Sequence, residues 1–241
     1  MRAGRRPRDR RARSGCASGP RGRGWREPQE VRAVTVARRE PAGRFSDWLR
    51  ETLAADASGA AVGVPCGDCV ACCTSSYFIH IRPDEERTLV RVPVELLVPA
   101  PGAPPGHVVM GHDLKGRCPM FRDGRCSIYD DRPLTCRTYD CRVFAAAGID
   151  ADRPAITRRA RTWAFDLPSD GDRRELAAVR AAAAFLRDHP ECFAGGPRAD
   201  NPAHVALSAV RVYDVFLKPD ALPPESLLSD CVRERLTETH G

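Results

Sequence analysis

The chain has 241 residues, of which 42% are hydrophobic and 29% charged, a composition suited to one soluble globular domain with appendages. Its net charge of +6 is uneven: residues 1–50 hold 15 of the 38 basic residues and 5 of the 32 acidic ones, so the remainder is net acidic. No apolar run reaches the roughly 18 residues needed to span a bilayer, and no apolar segment follows the basic start, which argues against a membrane protein and a secretory leader and for the cytoplasm.

Residues 1–40 are rich in Arg, Gly, Pro and Ser and are expected to be disordered, because they cannot bury enough apolar surface to offset the entropy of ordering. A nucleic-acid-binding arm is disfavoured, since Trp25 is the lone aromatic on which a base could stack. Only Lys115 and Lys218 are lysine, so the arginine content reflects the codon bias of a GC-rich genome. A single domain is expected over 41–241.

Its first element is a helix over Ser46–Asp56, with Trp48, Leu49 and Leu53 on one face, ended by Gly59 and Gly63. Residues 74–82 alternate as a strand, and Pro83 with Asp84, Glu85 and Glu86 starts a helix that Pro93 limits. A loop over Pro99–Pro105 precedes a strand over His107–Leu114, and Pro119–Tyr129 reads as a hairpin turning at Asp123-Gly124. Helices follow at 172–188, from the N-cap Asn201 to Leu217, and over Pro224–Glu238. The fold class is α+β: an irregular cysteine-rich half with short strands (65–145), covered by a C-terminal helical layer (155–240).

Eleven cysteines carry the chemistry. Eight of them lie between Cys66 and Cys141, as Cys66-x2-Cys69-x2-Cys72-Cys73 and Cys118-x7-Cys126-x9-Cys136-x4-Cys141. In a reducing compartment such clustering points to metal rather than disulfides. Two residues between cysteines let the chain turn so that both sulfurs converge, and four thiolates at about 2.3 Å complete a tetrahedral zinc site. The first three cysteines also have the three-ligand spacing of a ferredoxin, with Cys118-Pro119 a candidate fourth ligand. The metal is therefore zinc, iron or an iron–sulfur cluster, with a slight lean to the last. Side chains of adjacent residues diverge, so Cys72 and Cys73 are expected to face different centres. Eight sulfurs divide into two four-ligand sites, or into one cluster plus extra thiols. His80, His107 and His112 are weaker alternative ligands. Cys16 lies in the tail, and Cys192 and Cys231 are read as buried small hydrophobes.

These residues resemble a known family. CGDCVACC, followed by CPMFRDGRCSIYDDRPLTCRTYDC, is similar to the YkgJ-type cysteine-cluster family, a zinc- or iron-chelating domain, over about residues 65–145. The shared elements are CxxCxxCC, Cys126-Ser127-Ile128-Tyr129, Arg132-Pro133-Leu134-Thr135-Cys136 and Cys141. Within them Arg132, Arg137 and Arg142 are placed to offset thiolate charge. Pro133 fixes the turn that brings Cys136 back, and Tyr129 and Tyr139 are placed to pack over the site. Some members carry the label flagellin lysine N-methylase, but no nucleotide-binding glycine signature accompanies it in this sequence. The expected function is metal binding. The alternative is an iron–sulfur-dependent enzyme of redox or methyl-transfer type.

Overall fold

The computed structural model describes residues 39–193, 200–219 and 222–238. The expectation of disorder over 1–40 and the position of Cys16 thus fall almost entirely outside the described residues.

A short strand, β1 (Glu40–Arg44), opens the described chain and runs parallel to β7 (Trp163–Asp166), with Glu40 opposite Trp163 and an irregularity between Pro41 and Gly43. Parallel pairing needs a crossover, and the whole cysteine-rich segment lies inside this one. Helix α1 (Phe45–Ser58) follows and buries Phe45, Trp48, Leu49 and Thr52, and Gly59 ends it in the left-handed region at φ 64°. Packed against α1 are α6 (Asp170–Asp188) and α7 (Pro202–Arg211), and α4 (Arg142–Ala147) packs on both of these; with α5 (Pro154–Ala160) and α8 (Glu225–Glu238) they form the larger core. Helix α6 starts at a capping box, in which the Ser169 hydroxyl accepts from the Asp172 N–H and the Asp172 carboxylate accepts from the Ser169 N–H. The Asp172 carboxylate also accepts from Ser46 N–H at 3.1 Å and Arg44 Nε at 3.0 Å, which ties the start of α1 to the start of α6.

A second, small core holds Ile81, Val92, Met110, Met120 and Ile128. It lies beneath an antiparallel sheet of β2 (Ile79–Ile81), β4 (Val108–Met110) and β3 (Leu97–Pro99), with β4 central. The expected hairpin is present as β5 (Phe121–Arg122) and β6 (Arg125–Cys126), turning through Asp123 and Gly124, both at positive φ. The fold is α+β, as expected: small sheets and irregular cysteine loops, with a C-terminal helical region.

Several element boundaries differ from the sequence reading, each for a local reason. The strand at 74–82 contracts to β2. The Thr74 and Ser75 hydroxyls turn back to carbonyls in 70–71 and Ser76 sits at φ 58°, so the chain stays coiled there. The strand expected over His107–Leu114 ends at Met110, because the Asp113 carboxylate gathers the N–H groups of Lys115 and Arg117 into a turn. The helix expected from Pro83 starts instead at Glu86, as α2 (Glu86–Arg91), since the Glu85 carboxylate accepts from the Arg82 and Leu134 N–H groups. Helix α7 stops at Arg211, where buried Val212 leaves helical geometry at φ −108°, and a 3-10 turn replaces its last part. Helices α3 (Leu134–Thr138), α4 and α5 and strands β1, β3 and β7 are additions. Among the described residues no helix is long and apolar enough to cross a membrane.

Candidate metal centre

The ten described cysteines are all free thiols. In the segment Cys66-Gly67-Asp68-Cys69, the Cys66 carbonyl accepts from Cys69 N–H at 2.9 Å, and Gly67 takes φ 53°. This is a tight turn that glycine makes without steric cost. A 3-10 turn then carries Cys72, Cys73 and Thr74. The Cys73 carbonyl accepts from Cys118 N–H at 2.8 Å, which joins the first cysteine run to the second. Cys118 precedes β5, and Cys126 ends β6 opposite Phe121. Pro133 caps α3, and its carbonyl accepts from Cys136 N–H at 2.9 Å, so it fixes the turn at Cys136 as expected. Thr135 Oγ1 donates to the His80 carbonyl at 2.7 Å and holds α3 on β2. Cys141 caps α4 and is buried in the larger core.

All eight clustered cysteines line one cavity of about 320 Å³, and Tyr77, Tyr139, Arg159 and Trp163 line it with them. Within it the thiols fall into two electrostatic neighbourhoods. Cys72 feels Cys141 and Cys69 most strongly among its neighbours, then Cys73 and Cys66, while Cys141 feels Cys66 and Cys69. Cys73 feels chiefly Cys118 and Cys126, and Cys136 feels Cys118, Cys73 and Cys126. Cys73 also feels Cys69 and Cys66 more weakly, so Cys72 and Cys73 differ in their strongest neighbours. The remote thiol that Cys72 feels most strongly is Cys141. Cys118, the fourth ligand considered from the ferredoxin spacing, sits with Cys73, Cys126 and Cys136 instead, because the Cys118–Cys73 backbone bond and the hairpin hold it over the small core.

Burial is the first cause of the thiols' behaviour. It pushes Cys73 and Cys141 up to about 11 and Cys136 up to about 12, from an ordinary 9.0, and raises Cys66, Cys72 and Cys118 too. Mutual repulsion of neighbouring thiolates adds to the rise. Opposing it, backbone N–H groups of Met120 and Phe121 donate to Cys118, and the indole Nε1 of Trp163 donates to Cys141 Sγ at 3.2 Å.

The donor set suits a thiophilic metal: eight sulfurs face one space, and the buried carboxylate nearest them, Asp140, is already taken by Arg142 at 2.8 Å and Trp48 Nε1 at 2.9 Å. Among the described residues no three or more His, Cys, Asp or Glu side chains stand, as placed, in a group that could hold a metal ion.

The expected arginine roles change. Arg142 is buried and engaged with Asp140, and its guanidinium also donates to the carbonyls of Ala42 and Gly63, so it braces the backbone rather than the thiols. Arg137 extends toward Glu85 at 3.9 Å. Arg132 stacks on Tyr129 at 3.9 Å and donates to its carbonyl at 2.8 Å, while its charge still favours the Cys66 and Cys136 thiolates. Tyr129 and Tyr139 both line the cavity with the thiols, Tyr129 at 52% exposure and Tyr139 more enclosed. His80 and His107 share a hydrogen bond at 2.8 Å, His112 lies against Phe78, and none of the three lines the cavity. Cys192 is buried as expected, but Cys231 is exposed, because α8 buries the face carrying Leu228, Ser229, Val232 and Leu236.

Arg159 and Trp163 were not foreseen. Nothing in their spacing marks them, since β7 brings Trp163 to the cavity only by pairing with β1.

Turns and helix ends thus present eight thiols to one enclosed space. Residues 65–162 match the family described as "CxxCxxCC: Putative zinc- or iron-chelating domain". No curated protein and no solved structure matches the chain.

Proposed function

We propose that this protein holds zinc or iron through eight cysteine thiolates in two groups of four, Cys66/Cys69/Cys72/Cys141 and Cys73/Cys118/Cys126/Cys136. The observation that supports this reading is the difference between adjacent thiols: Cys72 feels Cys141 and Cys69 most among its neighbours, and Cys73 feels Cys118 and Cys126 most. Each group draws on two distant stretches of chain, so a bound metal would staple the cysteine loops to the helical core. Its binding free energy would contribute directly to folding. Four thiolates satisfy a tetrahedral zinc or iron ion with no open position. An iron–sulfur cluster is the second reading, supported by the three-ligand spacing of Cys66, Cys69 and Cys72 with Cys141 as their remote partner.

Anaerobic purification with elemental analysis and a visible spectrum tests both. About two zinc ions per chain in a colourless protein fits two closed sites. A brown protein with acid-labile sulfide that bleaches on reduction establishes the cluster instead. A chain that retains neither metal after anaerobic purification and reconstitution overturns the reading.

A further inference from the structure

Trp163 and Arg159 stand against one of the two thiol groups and not the other. The Trp163 indole N–H donates to Cys141 Sγ at 3.2 Å, and both side chains are buried. The Arg159 guanidinium carbon lies 4.2 Å from the centre of the Trp163 ring, a cation–π stack that fixes the indole plane. Arg159 is anchored at one end by its Nη1 to Glu40 at 3.3 Å, while its buried Nε has no hydrogen-bond partner. Both residues line the thiol cavity, and the Arg159 charge favours the thiolate of Cys66. Around Cys73, Cys118, Cys126 and Cys136 the corresponding donors are the backbone N–H groups that reach Cys118. Trp163 is also the first residue beyond the segment that matches the chelating family.

We propose that Trp163, held in place by Arg159, is a positioning residue that strengthens metal binding at the Cys66/Cys69/Cys72/Cys141 group alone. The inference rests on the two-group reading above. Four thiolates around a divalent ion leave an excess of about two negative charges inside the protein. An N–H donated to one sulfur and a guanidinium beside another withdraw part of that charge. Hydrogen bonds to charged groups are the strong ones in such surroundings, and partners of this kind typically hold ten- to a hundredfold in metal affinity. Asp140, whose charge disfavours the Cys66 and Cys141 thiolates, opposes them weakly because Arg142 already balances it.

Cobalt(II) titration of the full-length chain, reduced and metal-free under anaerobic conditions, tests this through the sulfur-to-cobalt charge-transfer bands. The wild-type chain is expected to take up two equivalents. Trp163→Phe keeps a ring in the same slot and removes the N–H. One of its two equivalents should bind about tenfold more weakly, with its band moved to longer wavelength, because a sulfur lone pair relieved of its hydrogen bond lies higher in energy. Arg159→Gln, which leaves the indole and its packing intact, should weaken the same equivalent, and Arg159→Lys should restore part of the loss. Two equivalents of unchanged affinity and spectrum in both Trp163→Phe and Arg159→Gln, or equal weakening of both equivalents, overturn the proposal while leaving the two-group reading standing. Failure of the wild-type chain to bind two equivalents overturns that reading, and this inference with it.

Discussion

Asp140 and Arg142 form a buried ion pair at 2.8 Å on either side of Cys141. Both partners are close to fully buried, and the carboxylate also accepts from the indole of Trp48 at 2.9 Å. The guanidinium meanwhile reaches the carbonyls of Ala42 and Gly63. One pair therefore locks the start of α4, the first strand and the loop before Cys66 around a single thiol.

Breaking that pair from one side should be costly. Arg142→Ala leaves Asp140 charged and enclosed, and about 3–5 kcal/mol of stability should be lost, read as a fall in the urea midpoint. A loss below about 1 kcal/mol, the level of a surface pair, would show that the interior admits water to the orphaned carboxylate.

The two thiol groups predict two distinct phenotypes. Cys69→Ser and Cys72→Ser should each reduce bound metal from about two ions to one, and so should Cys73→Ser and Cys136→Ser, while Cys69→Ser combined with Cys136→Ser should leave none. Cys192→Ala and Cys231→Ser should change the stoichiometry by nothing, since one packs beneath α8 and the other faces solvent. Elemental analysis of purified variants checks this. Complete metal loss in every single variant would mean one shared centre.

The raised thiols predict the pH dependence of metal uptake. With Cys73 and Cys141 at about 11 and Cys136 at about 12, the metal-free chain carries these groups as neutral thiols at pH 7. Metal binding must then expel up to about four protons per ion, and apparent affinity should rise steeply with pH. Proton release measured in weakly buffered solution checks the number. The metal-free fold favours the neutral thiols. It keeps that stability below their ordinary 9.0 and loses it as pH rises toward their raised values.

Acid should act through Asp172. Hydrogen bonds from Ser169 and Ser46, with Arg44 beside them, hold its carboxyl well below its ordinary 3.8. A depressed carboxyl stabilises the fold above 3.8 and loses that contribution as pH falls through its folded value. The stability difference between wild type and Asp172→Asn should thus be full at pH 6 and shrink below pH 4. Denaturant unfolding across that range, in matched metal-free samples, checks it. A difference independent of pH would locate the effect in packing instead.

Much of this molecule could be read before its structure. The helix cap at Asn201, the turn at Asp123-Gly124 and the cysteine run with its tight first turn are determined over a few residues, so local sequence carries them. The divergence of Cys72 and Cys73 likewise follows from adjacent positions on one backbone. Which distant thiol completes each group does not. Cys141 rather than Cys118 faces Cys66, Cys69 and Cys72 because α4 sits in the helical core while the hairpin sits on the small one. The same holds for Arg142, whose neighbours in sequence suggest thiolates but whose partner is a carboxylate, and for Trp163, which reaches Cys141 through a parallel pairing closed across the whole cysteine segment. Sequence by itself singled out the candidate donors, because thiol chemistry and turn geometry are local. Only the tertiary structure decided how the donors divide and what surrounds them, because those contacts join residues whose separation along the chain leaves no periodic signal.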